Sequence, residues 1–296
     1  MTQYDTSLPL VSVVVPSFNN APFIDETMQS ILGQTYRNLE VIIGDHDSTD
    51  GTWEQLQRYG SDRRVSLHQS PPGGGAGRNW RFVTSLASGT YMKLVCGDDV
   101  LAPNCVTEQV AAMEATGAIM SASRRDVITA DGRTVLRSWG LANAIGHLDG
   151  PTVVRRSVRQ GTNIFGEPAC VLLRREALDH AGTWDDTHPY VLDQHTYSRA
   201  LMLGSFVGLP ESLAKFRLSN SQWSLRLARE QLTQVTSMHR NLASEFPTLL
   251  NHSDLWIGSG RARLLSAARR LTYRALSRQM QIPTPVPGRH QSEVFG

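Results

Sequence analysis

The sequence predicts an α/β protein, with a mostly parallel sheet flanked by helices and a C-terminal helical extension. Three observations predict it. Short apolar, β-branched runs alternate with helical periodicity over residues 10–116. Polar, turn-rich clusters follow three of those runs, at residues 16–20, 45–52 and 97–99. Beyond Gln222 the strand signal stops and only helical periodicity remains.

The elements follow in order. Leu10–Val15 reads as a buried strand, stopped by Pro16-Ser17-Phe18-Asn19-Asn20. A helix over Pro22–Leu32 offers Phe23, Met28, Ile31 and Leu32 to the core. Leu39–Ile43 is a second strand. It opens into Gly44–Thr52, a loop of capping residues before a helix over Trp53–Tyr59. Val65–His68 is a third strand, Pro71–Gly75 breaks the chain, and a helix runs from Gly77 to Leu86. A fourth strand opens at Tyr91 and ends in Gly97-Asp98-Asp99. Strands separated by helices pair in parallel through crossovers, and ligands bind at the carboxyl ends of such strands. The three polar clusters therefore share one rim.

Adjacent carboxylates ending a buried strand are costly unless something positive holds them. A divalent cation carrying phosphate is one such partner, and a solvated surface turn is the plainer alternative. Three clusters on one rim favour the site.

In the second half, Pro103–Thr116 reads as a helix and Ala118–Ala122 as a strand. Asp131-Gly132, between Val127-Ile128 and Val135-Leu136, signals a hairpin. Residues 138–167 are weakly periodic and read as a long loop or lid. Ala169–Leu173 is a strand, Arg175–Ala181 a helix, Trp184-Asp185-Asp186 a turn, and Val191–Leu203 a helix. Strands follow over Ser205–Leu209 and Ser212–Arg217. Then come a helix ending before Pro247 and another over Leu255–Met280. The proline-bearing tail Ile282–Gly296 reads as disordered. The boundaries are two halves of one domain, 1–123 and 124–221, a helical region over 222–281, and the tail 282–296.

With 40% hydrophobic and 19% charged residues, the 296-residue chain has an ordinary globular composition. Its net charge of +2 hides an asymmetry. Six arginines lie between residues 261 and 280 without one Asp or Glu, and the remainder is acidic. The basic character is local, which argues against nucleic acid as a partner. On the last helix Leu264, Leu265, Ala268, Leu271, Ala275 and Leu276 share one face, and Arg263, Arg270, Arg274 and Arg278 cluster on another. Residues 255–281 thus predict either core or dimer packing or peripheral contact with an anionic membrane. Cys96, Cys105 and Cys170 form no metal or disulfide spacing. Neither a leader nor an apolar stretch of about 18 residues is visible, so a cytoplasmic location is expected, with peripheral contact at the inner face of the membrane as an option.

The first half resembles the family 2 glycosyltransferases. The matching stretches are Val11-Ser12-Val13-Val14-Val15-Pro16-Ser17-Phe18-Asn19, Glu40-Val41-Ile42-Ile43-Gly44-Asp45-His46-Asp47-Ser48-Thr49-Asp50-Gly51-Thr52, Gly77-Arg78-Asn79 and Gly97-Asp98-Asp99, in the family's order and approximate spacing. The resemblance is clear over 8–115 and fainter over 169–221. It implies a GT-A, Rossmann-like fold and an inverting enzyme that moves a sugar from a nucleotide-diphosphate sugar to an acceptor hydroxyl. Polysaccharide, glycolipid or glycoconjugate synthesis is the implied setting, with a saccharide or lipid-linked acceptor. Residues 1–123 become the donor half and 124–221 the acceptor half.

By the same resemblance Pro16, Ser17, Phe18 and Asn19 line the nucleotide pocket, Asp45 lies near base and ribose, and Asp50 orders its loop. Arg78 lies near base and phosphates. Asp98 and Asp99 match the family's metal-binding segment, where carboxylates hold Mg²⁺ or Mn²⁺ on the diphosphate. Asp99 is the expected direct ligand, and Asp98 contacts ribose, sugar or metal. Phe216-Arg217 with Asn220-Ser221 matches a segment that folds over the diphosphate. Asp193 is the candidate base, with Asp185 and Asp186 as rivals. The chain departs from the family's pattern at His46, Gly97 and Leu192, each standing where an acidic residue is common.

The chemistry needs these groups. A leaving diphosphate calls for a cation, and the attacking hydroxyl calls for one carboxylate as general base. The degraded acidic motif at Leu192 leaves a second reading, an inactive sugar-nucleotide-binding or scaffold protein. Nucleotidyl transfer is disfavoured, because no Gly-rich basic loop follows the first strand. His46, His188 and His195 read as structural.

Overall fold

A computed structural model describes residues 8–71, 73–219, 230–276 and 280–281. Strands β1 (Val11–Ser17), β2 (Leu39–Asp45), β3 (Val65–Gln69) and β4 (Tyr91–Leu94) alternate with helices α1 (Ile24–Leu32), α2 (Thr52–Gln57) and α3 (Gly75–Ser85). β1 is buried along its whole length, as a strand covered on both faces must be, and this is why it reads as a continuous apolar run. It pairs in parallel with β2 and β4, and β2 pairs in parallel with β3.

The second half adds β5 (Val100–Leu101), α4 (Cys105–Thr116), β6 (Met120–Thr129), β7 (Thr134–Trp139), β8 (Gly146–Asp149), α5 (Gly150–Gln160), β9 (Val171–Arg174), α6 (Arg175–Ala181), α7 (Leu192–Ala200) and β10 (Ser205–Leu218). Helices α8 (Gln231–Glu245) and α9 (His252–Leu276) follow. The sheet order is β3-β2-β1-β4-β9-β6-β10-β5, with β7 on β6 and β8 on β10. β9 runs antiparallel to both β4 and β6, and β6 is parallel to β10. The fold is thus a mixed sheet, parallel over β3-β2-β1-β4, flanked by helices and followed by a C-terminal helical part.

One buried cation ties the halves. Lys93 Nζ, on β4, donates to Gln109 Oε1 at 2.8 Å and to Val171 O at 3.2 Å. Gln109 Nε2 donates to Cys170 O at 2.7 Å. The turn entering β9 is therefore anchored from β4 and α4.

Three expectations change. Residues 138–167 are not an irregular lid, because they hold β8 and α5. Asp149 caps α5 by accepting from Thr152 N at 3.0 Å, Pro151 stands in its first turn, and Gly161 ends it at φ 67°. Its buried face is Val153, Val154, Ser157 and Val158, spaced as one side of a helix. The two strands predicted over 205–217 are one strand, β10, with register shifts between Leu209 and Ala214. The apolar face of the last helix is not the face that packs. Gly258, Ala262 and Ser266 are buried, whereas Leu264 and Leu271 are exposed. Arg278, the tail 282–296 and the side chains of Arg274, Ala275 and Leu276 lie outside the described residues.

Candidate active site

The ends of β1 and β2 lie in register, with Ser17 opposite Asp45. Asn79 of α3 pins both, its Nδ2 donating to Gly44 O at 3.0 Å and Ser17 O at 3.3 Å. Beyond them two loops interlock. Asp45 is buried, and its carboxylate accepts from Ser48 N (3.0 Å) and Ser48 Oγ (2.6 Å). Asn19, at φ 52°, donates its N–H to Ser48 Oγ at 2.9 Å and accepts from Thr49 N at 2.9 Å. Asp50 accepts from Ala21 N at 3.0 Å and Thr52 N at 3.1 Å, so it orders the loop. Pro16 and Ser17 are buried at this rim, Phe18 is exposed, and the Phe18 ring meets His46 edge-on at 6.1 Å. His46 Nδ1 bonds Ser70 Oγ at 2.6 Å, a structural job for an imidazole. Arg78 is exposed on the first turn of α3.

The carboxylate pair sits on the same rim, one strand over. Val95 continues the β1 pairing by donating to Val14 O at 2.9 Å, and Asp99 N closes a turn on Cys96 O at 3.1 Å. A Cβ at Gly97 would lie 2.5 Å from Asn20 Oδ1, so a larger residue here, where an acidic one is common, would have to displace the Asn20 side chain. Asp99 is only 1% exposed. Burial, then the neighbouring charges of Asp98 and Glu167, push its carboxyl well above the ordinary carboxylate range, and Arg217 opposes them.

Arg217 stands behind this pair. It is 2% exposed. Its N–H donates to Asp99 Oδ1 at 3.3 Å, Nε to Asp98 O at 3.0 Å, and Nη1 to Ala130 O at 3.3 Å. Nη2 pairs with Glu26, and the guanidinium lies 4.8 Å from the centre of the Phe23 ring. The structure places Arg217 as a strut for Asp98-Asp99; Asn220 and Ser221, expected beside it, lie outside the described residues.

The second half of the chain supplies Asp193, in the first turn of α7. Its Oδ1 accepts from Gln194 N at 2.7 Å and its Oδ2 from Asn163 Nδ2 at 2.8 Å. Asn163 Nδ2 also donates to Gly166 O at 2.9 Å, and Asn163 Oδ1 accepts from Phe165 N at 2.9 Å. The next residue, Glu167, is ion-paired with Arg125, which is buried on β6 and reaches Oε1 from Nη2 at 3.0 Å. Burial chiefly, and the Glu167 charge, push the Asp193 carboxyl up to about 7, against the pull of Gln194 N and Asn163.

Asp98, Asp99, Glu167 and Asp193 thus belong to one electrostatic cluster, with Glu167 acting on both Asp99 and Asp193. Asn163 and Glu167 are new: the sequence reading places both in a featureless loop. The one available signal is Gly166, whose φ of 92° marks a turn built for a purpose. The rivals of Asp193 are engaged locally. Asp185 accepts from Thr187 N at 2.9 Å, and that threonine holds its carboxyl below the ordinary range. Asp186 is paired with Arg81 at 2.9 Å. His188 and His195 are buried, which lowers both imidazoles.

Among the described residues no three His, Cys, Asp or Glu side chains converge as a metal cage. Asp98-Asp99 fits a divalent cation in a different way. It is a pair of like charges, one buried and proton-hungry, which a cation would relieve. Such a site needs further oxygens from a bound ligand, as diphosphate-held Mg²⁺ does.

Comparison with known proteins identifies the family of the chain. A family model, Glycosyl transferase family 2, matches residues 12–182. An uncharacterized glycosyltransferase of Haemophilus influenzae is 27% identical over 241 residues, covering 75% of this chain and 70% of that protein. The Escherichia coli UDP-Glc:alpha-D-GlcNAc-diphosphoundecaprenol beta-1,3-glucosyltransferase WfaP is 31% identical over 107 residues, covering 36% of this chain and 42% of that enzyme. The crystal structure of S. aureus TarS 1-349 in complex with UDP-GlcNAc superposes with a TM-score of 0.63 at 18% identity, covering 80% of this chain and 66% of that one. The fold is the GT-A fold of such glycosyltransferases. With the family model spanning more than half of its length, the chain belongs to glycosyl transferase family 2.

Proposed function

We propose that the protein transfers a sugar from a nucleoside-diphosphate sugar, and specifically a UDP-sugar, to an acceptor hydroxyl with inversion at the anomeric carbon. The observation that carries this reading is Asp193. It is a carboxylate held by two donors, pushed up to about 7, and grouped through Glu167 with the Asp98-Asp99 pair. A base of that strength is matched to removing a hydroxyl proton near neutral pH. The UDP preference draws on the UDP-Glc named for WfaP and the UDP-GlcNAc bound to TarS.

The residues divide the work as follows. Pro16, Ser17, Phe18, Asn19 and Asp45 form the nucleotide rim, and exposed Arg78 is placed for phosphate. Asp98 and Asp99 would hold Mg²⁺ or Mn²⁺, which when bound neutralises the leaving diphosphate. Arg217 supports this pair from behind. Asp193 accepts the acceptor's proton at its carboxylate oxygen as the hydroxyl attacks from the opposite face, which is why one displacement inverts the centre. The acceptor is a saccharide, free or lipid-linked, in polysaccharide or glycoconjugate assembly. The free thiols Cys96, Cys105 and Cys170 suit a reducing cytoplasm.

The test is nucleotide release from a panel of UDP-, GDP- and dTDP-sugars, with and without Mn²⁺. Mn²⁺-dependent turnover of a UDP-sugar, lost in Asp99→Ala, is the expected result. Nucleotide-sugar binding without turnover, unchanged in Asp193→Asn, would instead support the scaffold reading that Leu192 raises.

A further inference from the structure

The outward face of α9 has no role in the site. Its geometry is inverted relative to an ordinary packing helix. The inward face is made of small residues that allow close approach: a Cβ at Gly258 would lie 2.3 Å from Val158 O of α5, and Ala262 lies against Gly161. The large apolar residues point to solvent instead. Trp256 is 81% exposed, Leu264 74% and Leu271 65%. At about 100° per residue they form one stripe along the helix, with Gly260 and Ala267 between them. A shallow depression lined by Trp256, Ile257, Gly260, Arg261, Arg263 and Leu264 opens on this stripe.

Cations border it. Arg263 and Arg270 are exposed along one edge and Arg261 along the other. Residues 255–281 contain no Asp or Glu. At the start of the helix, Asp254 is buried between Arg155 (2.8 Å) and Arg159 (2.6 Å), so two guanidiniums share one carboxylate and the excess there is positive too. A second copy packed on the same face would bring these arginine rows together, and the helix's one acid, Asp254, is buried and already shared by two arginines, so the pairing is unfavourable. An anionic lipid surface complements both features: tryptophan and leucine enter the headgroup boundary, while arginines snorkel to the phosphates.

We infer that α9 is a peripheral membrane-docking helix that lies on an anionic bilayer through Trp256, Leu264 and Leu271, flanked by Arg261, Arg263 and Arg270. The docking helix is braced against the acceptor half. Arg269 donates to Thr162 Oγ1 at 2.6 Å, one residue before Asn163, and to Tyr190 Oη at 2.8 Å, three residues before Asp193. A bilayer held by α9 is therefore coupled to the elements that hold Asp193. That coupling matters for a lipid-borne acceptor and rests on the transferase reading, whereas vesicle binding does not.

Flotation of the full chain tests it, using vesicles of phosphatidylcholine alone and of phosphatidylcholine with phosphatidylglycerol. Binding is expected only to the anionic vesicles. It should fall at least about fivefold in Trp256→Ser/Leu264→Ser/Leu271→Ser, in Arg263→Glu/Arg270→Glu, and in high salt. These side chains are exposed, so thermal unfolding and turnover of a soluble acceptor should stay unchanged. Failure of the native chain to float, or equal flotation of the variants, overturns the inference. So does sedimentation showing a native dimer that Leu264→Ser dissociates, because the face would then belong to a second copy.

Discussion

The proposed donor and acceptor sides of the site are built on opposite principles. On the donor side, loops 16–20 and 45–52 satisfy their polar groups through one another, and the carboxylates of Asp45 and Asp50 are consumed by nearby N–H and O–H donors. On the acceptor side, Asp193 has two donors and is still driven up to about 7, because burial and Glu167 outweigh them. The first arrangement is a hydrogen-bonded receptor. The second stores electrostatic cost in one carboxylate, as proton chemistry requires. Asp99 lies between these extremes, structurally part of the donor rim but raised like Asp193.

Removing the stored cost gives the largest expected effect. Asp193→Asn should lower kcat by about 10³- to 10⁴-fold with nucleotide affinity within about twofold, measured by steady-state turnover and titration calorimetry. The native rate should rise as pH passes up through about 7, where Asp193 loses its proton. The same substitution should stabilise the fold at alkaline pH. Because the folded carboxyl holds its proton more tightly than an unfolded one, stability is full below the ordinary carboxylate range and lost as pH rises to about 7. An amide escapes that loss, although it sets a donor against Asn163. The net gain expected is about 1–3 kcal/mol near pH 8 and none near pH 4, by urea denaturation.

Asn163→Ala sharpens the comparison. Loss of its N–H raises the Asp193 carboxyl further, so turnover at neutral pH should fall about tenfold and recover as pH is raised. A merely structural defect would lower the rate at every pH. The smallest effect belongs to the donor side. Asp50→Ala frees Ala21 N, which water can reach, and Thr52 N at the buried start of α2. It should weaken nucleotide binding by only about three- to tenfold and leave the pH profile unmoved.

The sides also differed in how far the sequence disclosed them. The donor rim is legible because its partners are close in the chain or stand at the ends of paired strands: Asp45 with Ser48, Asp50 with Thr52. Helix α5 is hard to read because its start lies inside a glycine-bearing stretch, although Asp149 and Pro151 mark that start. Asn163 and Glu167 escaped because nothing local distinguishes a loop asparagine or glutamate that reaches a distant side chain. Gly97 and His46 depart from the motif but are each fitted to a neighbour, Asn20 and Ser70.

By itself the sequence determined the alternation of strand and helix, the single rim bearing three polar clusters, and the pairing of Asp98 with Asp99. Those follow from periodicity, from caps and turns of a few residues, and from covalent adjacency. Tertiary structure decided the rest. It brought Asn163 to Asp193 across 30 positions and Arg217 to Asp99 across 118, and it turned the leucines of α9 outward by giving the inward face to glycine and alanine. The physical reason is that burial, and with it the proton affinity of a carboxylate or the exposure of a leucine, belongs to the packed layers rather than to any segment of chain.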